Sequence, residues 1–471
     1  MFHNDCALPL RFFEEISAIP RASGDEGRIA DYLLAFAEKN GFFSYRDAAN
    51  NVLIKKPATK GREGEPALLL QAHTDMVAEK NKGTVHDFSK DPIRLVREGT
   101  LLLADGTTLG ADDGFGIALI LSVLCEAPSH PALECLFTAG EETGMDGAIA
   151  FDYSLLSARR MVNLDSDNEC EIITGCCGGL TTVITLSPRC ARTEGQALRL
   201  RVTGLCGGHS GADIHRGRGN ALSLMASWIA ALEAQMPLSI ASLEGGDKSN
   251  AIPRECEGVI VVADAARAKD LLGQAAQSLR AAVGAAEDAA LAFEIEDGVI
   301  APVAFAANET KGILRLLSMR TGVITTRADG SVQLSRNVAA VRTRNSVLSL
   351  TLSVRSADQK EIDFLRLEAD VLADELGGTA VHSGAYPGWE SDADSALVRA
   401  WQQAAAAQGI HALPMVIHAG LECGLFSERL PGLCAISVGC NIHDLHTPAE
   451  RMELDSFGRA YHALTAFLEI I

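Results

Sequence analysis

The stretch Ala67-Leu-Leu-Leu-Gln-Ala-His73-Thr-Asp75-Met-Val77 is an apolar run that ends in a histidine and, two residues later, an aspartate. Its length suits a β-strand, and α/β proteins bind ligands beyond the carboxyl ends of their parallel strands. A histidine delivered there can ligate a metal while a carboxylate beside it holds the ring in orientation. Alone, His-x-Asp is a weak signal, but several later runs end the same way. Thr108-Leu-Gly-Ala-Asp112-Asp113-Gly-Phe-Gly116 sets two aspartates among glycines ahead of an apolar helix. Leu133–Thr138 leads into Gly140-Glu141-Glu142-Thr-Gly144, and Met161–Leu164 into Asp165-Ser-Asp167. Leu433–Val438 leads into Gly439-Cys-Asn-Ile-His443-Asp-Leu-His446-Thr-Pro448.

Collected, the strand-end residues are His73, Asp75, Asp112, Glu141, Glu142, Asp165 and His446. Adjacent carboxylates could simply cap a helix. Their recurrence at strand ends favours a shared cation instead. Imidazole and carboxylate without thiolate suits Zn²⁺, and also Mn²⁺ or Co²⁺. If one carboxylate bridges, the set holds two metals, which activate water for hydrolysis. Glu141 and Glu142 cannot easily face one metal together, so one can ligate while its neighbour acts as base.

The elements that would position these residues alternate between strands and helical patterns. That alternation predicts an α/β fold with a mostly parallel sheet flanked by helices. A short amphipathic helix opens the chain, and a second follows a Ser23-x-x-Glu26 capping box and ends near Gly41. From about Arg189 to Ser383 the character changes. Strand 196–204, helix 220–234, strands near 238–243 and 256–262, helix 267–284 and strand 290–296 follow the order of a ferredoxin-like unit. A second set follows with helix 309–321, strands near 331–341 and 347–355, helix 358–376 and strand 379–383, its last helix preceded by a second capping box, Ser356-x-x-Gln359. This predicts a doubled α+β insert. The expected division is 1–188 and 385–471 for a catalytic domain and 189–384 for an inserted lid or substrate-binding domain.

Bulk properties narrow the classes of function. The 471 residues suffice for two cored domains, and 47% hydrophobic with 22% charged is ordinary for a soluble globular protein. A formal charge of −20 argues against nucleic acid or an anionic membrane as partner. No apolar run is long enough to span a bilayer, and the start, Met-Phe-His-Asn-Asp-Cys, lacks the features of a secretory signal. The 12 cysteines form no CxxC pair, which suits reduced thiols in a cytoplasm.

The segments HTDMV, LGADDG, GEETGMDGA, NLDSD, GLCGGHSGADIHRGRGNA, NAIPRE, AGLECG and HTPAERM resemble those of the binuclear zinc peptidases of the carboxypeptidase, dipeptidase and aminoacylase superfamily. Within it, the aminoacyl-histidine dipeptidase branch is most similar, and the likeness runs nearly end to end. The resemblance implies a zinc-peptidase-like fold with two Zn²⁺, which Mn²⁺ or Co²⁺ can replace. His73 and Asp165 would bind one metal, Glu142 and His446 the other, and Asp112 both, in a turn this family often builds with a cis peptide before Asp113. Asp75 would orient His73, Glu141 would be the general base, and His209 would stabilise the oxyanion. Asn250, Arg355 and the Gly420 loop resemble the family's substrate clamp, with Arg355 facing a free carboxylate. His443 is a rival to His446, His215 a lesser candidate than His209, and Asp113 has no ligand role in the family pattern.

The implied reaction is hydrolysis of unblocked dipeptides, of the Xaa-His or β-Ala-His kind, by water held between two zinc ions. A carboxypeptidase, tripeptidase or N-acyl amino acid deacylase is the alternative. A catalytically silent binding protein is the remote one, disfavoured because every expected ligand and the base are present. The expected partner is a small peptide substrate, with a homodimer left open.

Overall fold

Leu68–His73 is buried along its whole length, as expected of a strand covered on both faces. In the computed structural model, which describes residues 7–284, 286–328, 330–390 and 392–471, it lies inside a nine-stranded sheet. The opening residues read for a signal lie outside the described residues. The chain divides into two compact units. One comprises 1–176, 389–417 and 421–471, and the other 177–388 with 418–420. The second therefore begins ahead of the division at 188 read from the sequence.

In the first unit the sheet order is Phe43–Arg46, Val52–Lys56, Leu133–Thr138, Leu68–His73, Arg160–Ser166, Cys434–Gly439, Glu171–Cys176 and Trp389–Glu390. Leu413–Ile417 also pairs with Glu171–Cys176. The central strands 133–138, 68–73, 160–166 and 434–439 are parallel neighbours. Toward the flanks the pairings are antiparallel except that of Leu413–Ile417 with Glu171–Cys176, which is parallel, so the sheet is mixed. Short links cause this. A parallel crossover needs a dozen or more residues, which neither the 46–52 turn nor the 166–171 turn provides.

Helix Ala111–Glu126 is buried on every side from Gly114 to Leu124, and packs on Ala7–Ser17 and Leu68–His73. Its closeness to the sheet needs glycine. A Cβ on Gly116 would lie 2.5 Å from the Leu164 carbonyl oxygen. A small sheet of Ile442–His443, Arg451–Glu453, Leu101–Ala104 and Leu95–Glu98 anchors both ends of the loop that carries His446. Among the described residues no helix is long and apolar enough to cross a membrane.

In the second unit the first ferredoxin-like set is contiguous. Its strands run Ala292–Val299, Gln196–Thr203, Cys256–Val262 and Leu238–Gly245 across the sheet, with helices Ala221–Glu233 and Ala265–Ala282. The second set is not contiguous. Its sheet order is Val332–Arg344, Val347–Ser356, Gly178–Leu186 and Thr379–Tyr386, with helices Ala307–Leu317 and Gln359–Glu375. Its first strand, Gly178–Leu186, precedes the first set, which is thus nested inside the second. Pairing of Glu244 with Arg342 and Gly245 with Val341 joins both sets in one sheet.

Neither capping box forms. Helix Gly27–Lys39 has no side-chain cap at Glu26. Helix Gln359–Glu375 is capped by Asp358, which accepts from the Lys360 N–H, while Ser356 donates to Glu361. An aspartate nearer the helix start competes successfully as cap.

Candidate active site

The parallel strands of the first unit end along one edge, with His73 opposite Thr138 and Gln71 opposite Asn163. The loops after them gather the strand-end residues. His73 Nε2 lies 2.9 Å from Asp112 Oδ1 and 3.8 Å from Asp165 Oδ1. His446 Nε2 lies 3.1 Å from Asp112 Oδ2 and 3.1 Å from Glu142 Oε1. Each oxygen of Asp112 thus faces a different imidazole–carboxylate couple. The peptide between Asp112 and Asp113 is cis. His446 has φ +61°, a left-handed conformation uncommon outside glycine and typical of functional sites.

Burial and the mutual closeness of imidazoles and carboxylates set the electrostatics here. Burial, with Asp112 close by, drives the Asp165 carboxyl well above its ordinary range. Burial likewise raises Glu141, helped by Glu142 and Glu422. Burial would raise Asp112 too, but His446 and His73 outweigh it and hold it below the usual carboxylate range. His446 is pushed up to about 10 by Asp112 and Glu142. Burial works against charge on His73, yet Asp112, Asp75 and Asp165 raise it well above its ordinary value. Carboxylates outnumber imidazoles here. Donor atoms of His73, Asp112 and Glu142 all lie within 4.8 Å of one another, and the set contains no thiolate. This donor chemistry fits Zn²⁺, Mn²⁺ or Co²⁺.

Asp113 also lies within reach of His73 and Asp165. Both its oxygens are engaged by backbone, however, accepting the N–H groups of His73 and Gly116 at 3.1 Å each. It ties the strand end to the helix start. His443 is turned away and paired with Glu453 Oε1 at 2.8 Å.

Asp75 is fully buried 3.4 Å from His73 Nδ1. It accepts the backbone N–H groups of Glu141 and Glu142 and the hydroxyl of Ser23. The serine expected to cap a helix therefore serves this carboxylate. Beneath them lies Glu422, wholly buried, whose Oε2 accepts from Thr138 Oγ1 at 2.8 Å and Gln71 Nε2 at 2.5 Å. Burial raises it to about 7.

In the second unit, the ring of His209 and the Nε of Arg355 flank Gly211, whose Cβ would lie 3.1 and 3.3 Å from them and 2.4 Å from the His418 carbonyl oxygen. His209 Nδ1 accepts the Ala212 N–H at 3.0 Å, which puts the proton of the neutral ring on Nε2. Arg355 is 8% exposed and donates from Nη1 to the Tyr386 hydroxyl at 2.7 Å, while its Nε has no partner. Burial opposes its charge, but Tyr386 and Cys177 raise it on balance. Gly420 packs on the Tyr386 ring, where a Cβ would come within 2.6 Å. His418 donates to or accepts from Ser335 Oγ at 2.7 Å, and burial together with Arg355 lowers it to about 4. Asn250 joins this group through its backbone, its carbonyl accepting the Ser210 N–H at 2.8 Å, with its side chain exposed. His215 is exposed on the Ile214–Arg216 turn.

Arg21, Glu422, Glu450, Tyr386 and His418 escaped the sequence reading. Glu450 and Glu422 lie inside segments already singled out, HTPAERM and AGLECG, where a carboxylate four residues past His446, or one two residues from a glycine on each side, was a usable signal. Arg21 follows Pro20 with no pattern around it.

The sequence pattern of Peptidase family M20/M25/M40 matches residues 69–470. The chain is 36% identical over 471 residues to the cytosol non-specific dipeptidase of Escherichia coli K12, covering 98% of this chain and 96% of that protein. The crystal structure of aminoacylhistidine dipeptidase from Vibrio alginolyticus superposes with a TM-score of 0.88 at 34% identity, over 99% of this chain and 98% of that one. Aminopeptidase PepT from Bacillus cereus shares the fold at 17% identity and a TM-score of 0.57, over 99% and 98% of the two chains. The chain belongs to peptidase family M20/M25/M40.

Proposed function

We propose that this protein is a dinuclear metal-dependent dipeptidase that cleaves unblocked dipeptides, Xaa-His among them. The observation that carries the reading is Asp112, whose two oxygens address two separate imidazole–carboxylate couples beside Glu141. His73 and Asp165 would hold one cation, His446 and Glu142 the other, and Asp112 both. Zinc is the proposed metal, with Mn²⁺ or Co²⁺ able to replace it. Cations held there would supply Lewis-acid polarisation of water and of the scissile carbonyl.

Glu141 takes the proton of the attacking water and passes it to the leaving amine. Burial raises its carboxyl, which favours uptake of a proton by this group. Asp75 keeps the His73 ring oriented. His209, with its proton on Nε2, donates to the oxyanion developing on the scissile carbonyl. Arg355, buried with an unpartnered Nε, receives the free carboxylate, and Asn250 and the Gly420 loop complete the clamp.

The names of the two relatives differ in breadth, non-specific against aminoacylhistidine, so the substrate range is read as wider than Xaa-His alone. A cytoplasmic setting agrees with the free cysteines among the described residues and with the cytosolic relative. The test is amino-acid release from a panel of dipeptides, before and after chelation and re-addition of Zn²⁺, Mn²⁺ or Co²⁺. Release that stops with chelator and returns with metal is the expected result. Protein carrying metal yet inert toward every free dipeptide, while cleaving N-acyl amino acids or tripeptides, would replace the reading with a sibling activity.

A further inference from the structure

Loops 73–75, 110–112 and 446–450 carry the donor set, yet no covalent link holds them in register. Two buried side chains do so, through backbone atoms alone. Glu450, 2% exposed, accepts four consecutive N–H groups: Leu109 at 2.8 Å, Gly110 at 3.1 Å, Ala111 at 2.8 Å and Asp112 at 3.4 Å. It stands on the loop that delivers His446, folded back by a turn in which the Glu450 N–H meets the Thr447 carbonyl at 3.0 Å. Arg21, also 2% exposed, donates from Nη1 to the carbonyls of Thr74 at 3.1 Å and Asp75 at 2.8 Å, and from Nη2 to that of Gly110.

From this arrangement we infer that Glu450 and Arg21 are positioning residues that couple the two halves of the metal centre, Glu450 fixing Asp112 to the His446 side and Arg21 fixing it to the His73 side. The inference rests on the dinuclear reading above. Four orphan donors at one turn need an acceptor with full negative charge, and a carboxylate with both oxygens facing them supplies it. Arg21 and Glu450 are each costly to bury alone, and each lies in the field of the other. Neither touches the donor atoms, so each acts on geometry and on separate halves.

Glu450→Gln tests this directly. The amide retains one acceptor oxygen and turns its own N–H groups toward the backbone donors, leaving part of the turn unsatisfied. Chelator-treated wild type and variant are titrated with Co²⁺, following visible absorption, with metal content counted by mass spectrometry. The expected result is a first Co²⁺ bound as in wild type and a second bound about 10–100-fold more weakly, the usual effect of losing an outer-shell partner. Activity of the variant should return at raised Co²⁺. Arg21→Lys should show the mirror pattern, weakening the His73 half.

Wild-type affinity for both ions in E450Q, or equal weakening of both, would overturn the coupling while leaving the dinuclear centre intact. Should E450Q fail to give a native circular dichroism spectrum, Glu450→Asp keeps the charge but shortens the reach, and must show the same selective loss of the second ion. Wild type that binds no Co²⁺ at all would remove the metal-centre reading and the coupling with it.

Discussion

Asp75 Oδ1 accepts the backbone N–H of Glu141 at 3.0 Å, so the carboxylate beside the His73 ring also fixes the turn that carries Glu141, the proposed base. The two functions separate by mutation. Glu141→Gln should keep both metals and lose about 10²–10⁴ in kcat, the usual share of a general base. Asp75→Asn should instead lower metal affinity about 10–100-fold, because the ring and the turn both lose their anchor. Metal counting beside steady-state kinetics distinguishes them. Near-normal turnover in a metal-loaded E141Q sinks the base assignment.

Asp112 is the proposed shared group, its oxygens facing His73 on one side and His446 on the other. Replacing His446 with Ala should therefore leave one tightly bound metal per chain. Asp112→Asn, which halves the charged acceptor facing both couples, should weaken the two together. Equilibrium dialysis against Zn²⁺ reads the difference, and D112N holding two ions at wild-type affinity contradicts a bridging role.

Arg355 presents a fork whose Nη1 is already committed to Tyr386. Arg355→Lys keeps the charge but loses the planar pair of donors. It should raise KM for free dipeptides roughly 10–100-fold, as expected for lost hydrogen bonds to a charged group worth about 1.5–3 kcal/mol, and leave C-terminal amides little changed. Gly420→Ala should act in the same direction, because its Cβ would press on Tyr386, the acceptor for Arg355. Equal losses on acids and amides would remove the clamp.

Glu422 makes the metal-free protein sensitive to pH. Its carboxyl is raised from 4.5 to about 7 by burial, so the folded state holds a proton that the unfolded chain releases earlier. Stability from this group is full below about pH 4.5 and fades as pH rises through about 7. Glu422→Gln keeps an oxygen for Gln71 and Thr138 and does not ionise. Relative to wild type it should gain stability between roughly pH 5 and 8, by up to about 3 kcal/mol. Urea unfolding in chelator at both values measures this, and parallel curves for the two proteins refute it.

The candidate donor set was legible because most of its members follow closely on apolar strands and Asp112 sits among glycines ahead of an apolar helix, patterns that one sequence displays locally. His73, Asp112, Glu141, Glu142, Asp165 and His446 do converge in the fold. The mixed sheet was not legible, since strand direction depends on which partner a short turn permits rather than on periodicity. Gly178–Leu186 was missed as a strand of the second unit because its partners, Val347–Ser356 and Thr379–Tyr386, come far later in the chain. Arg21 was hidden for another reason. Its contacts are to backbone carbonyls, which carry no residue-specific signature.

Strand Cys434–Gly439 slots between Arg160–Ser166 and Glu171–Cys176, although residues 177–388 all precede it in the chain. Without it, those two strands would each present a bare edge, the kind of surface that invites aggregation. His446 and Glu450 follow it in sequence. A chain cut short ahead of Cys434 would thus lose the proposed ligand and expose two strand edges at once, making an aggregation-prone fragment rather than a weakened enzyme.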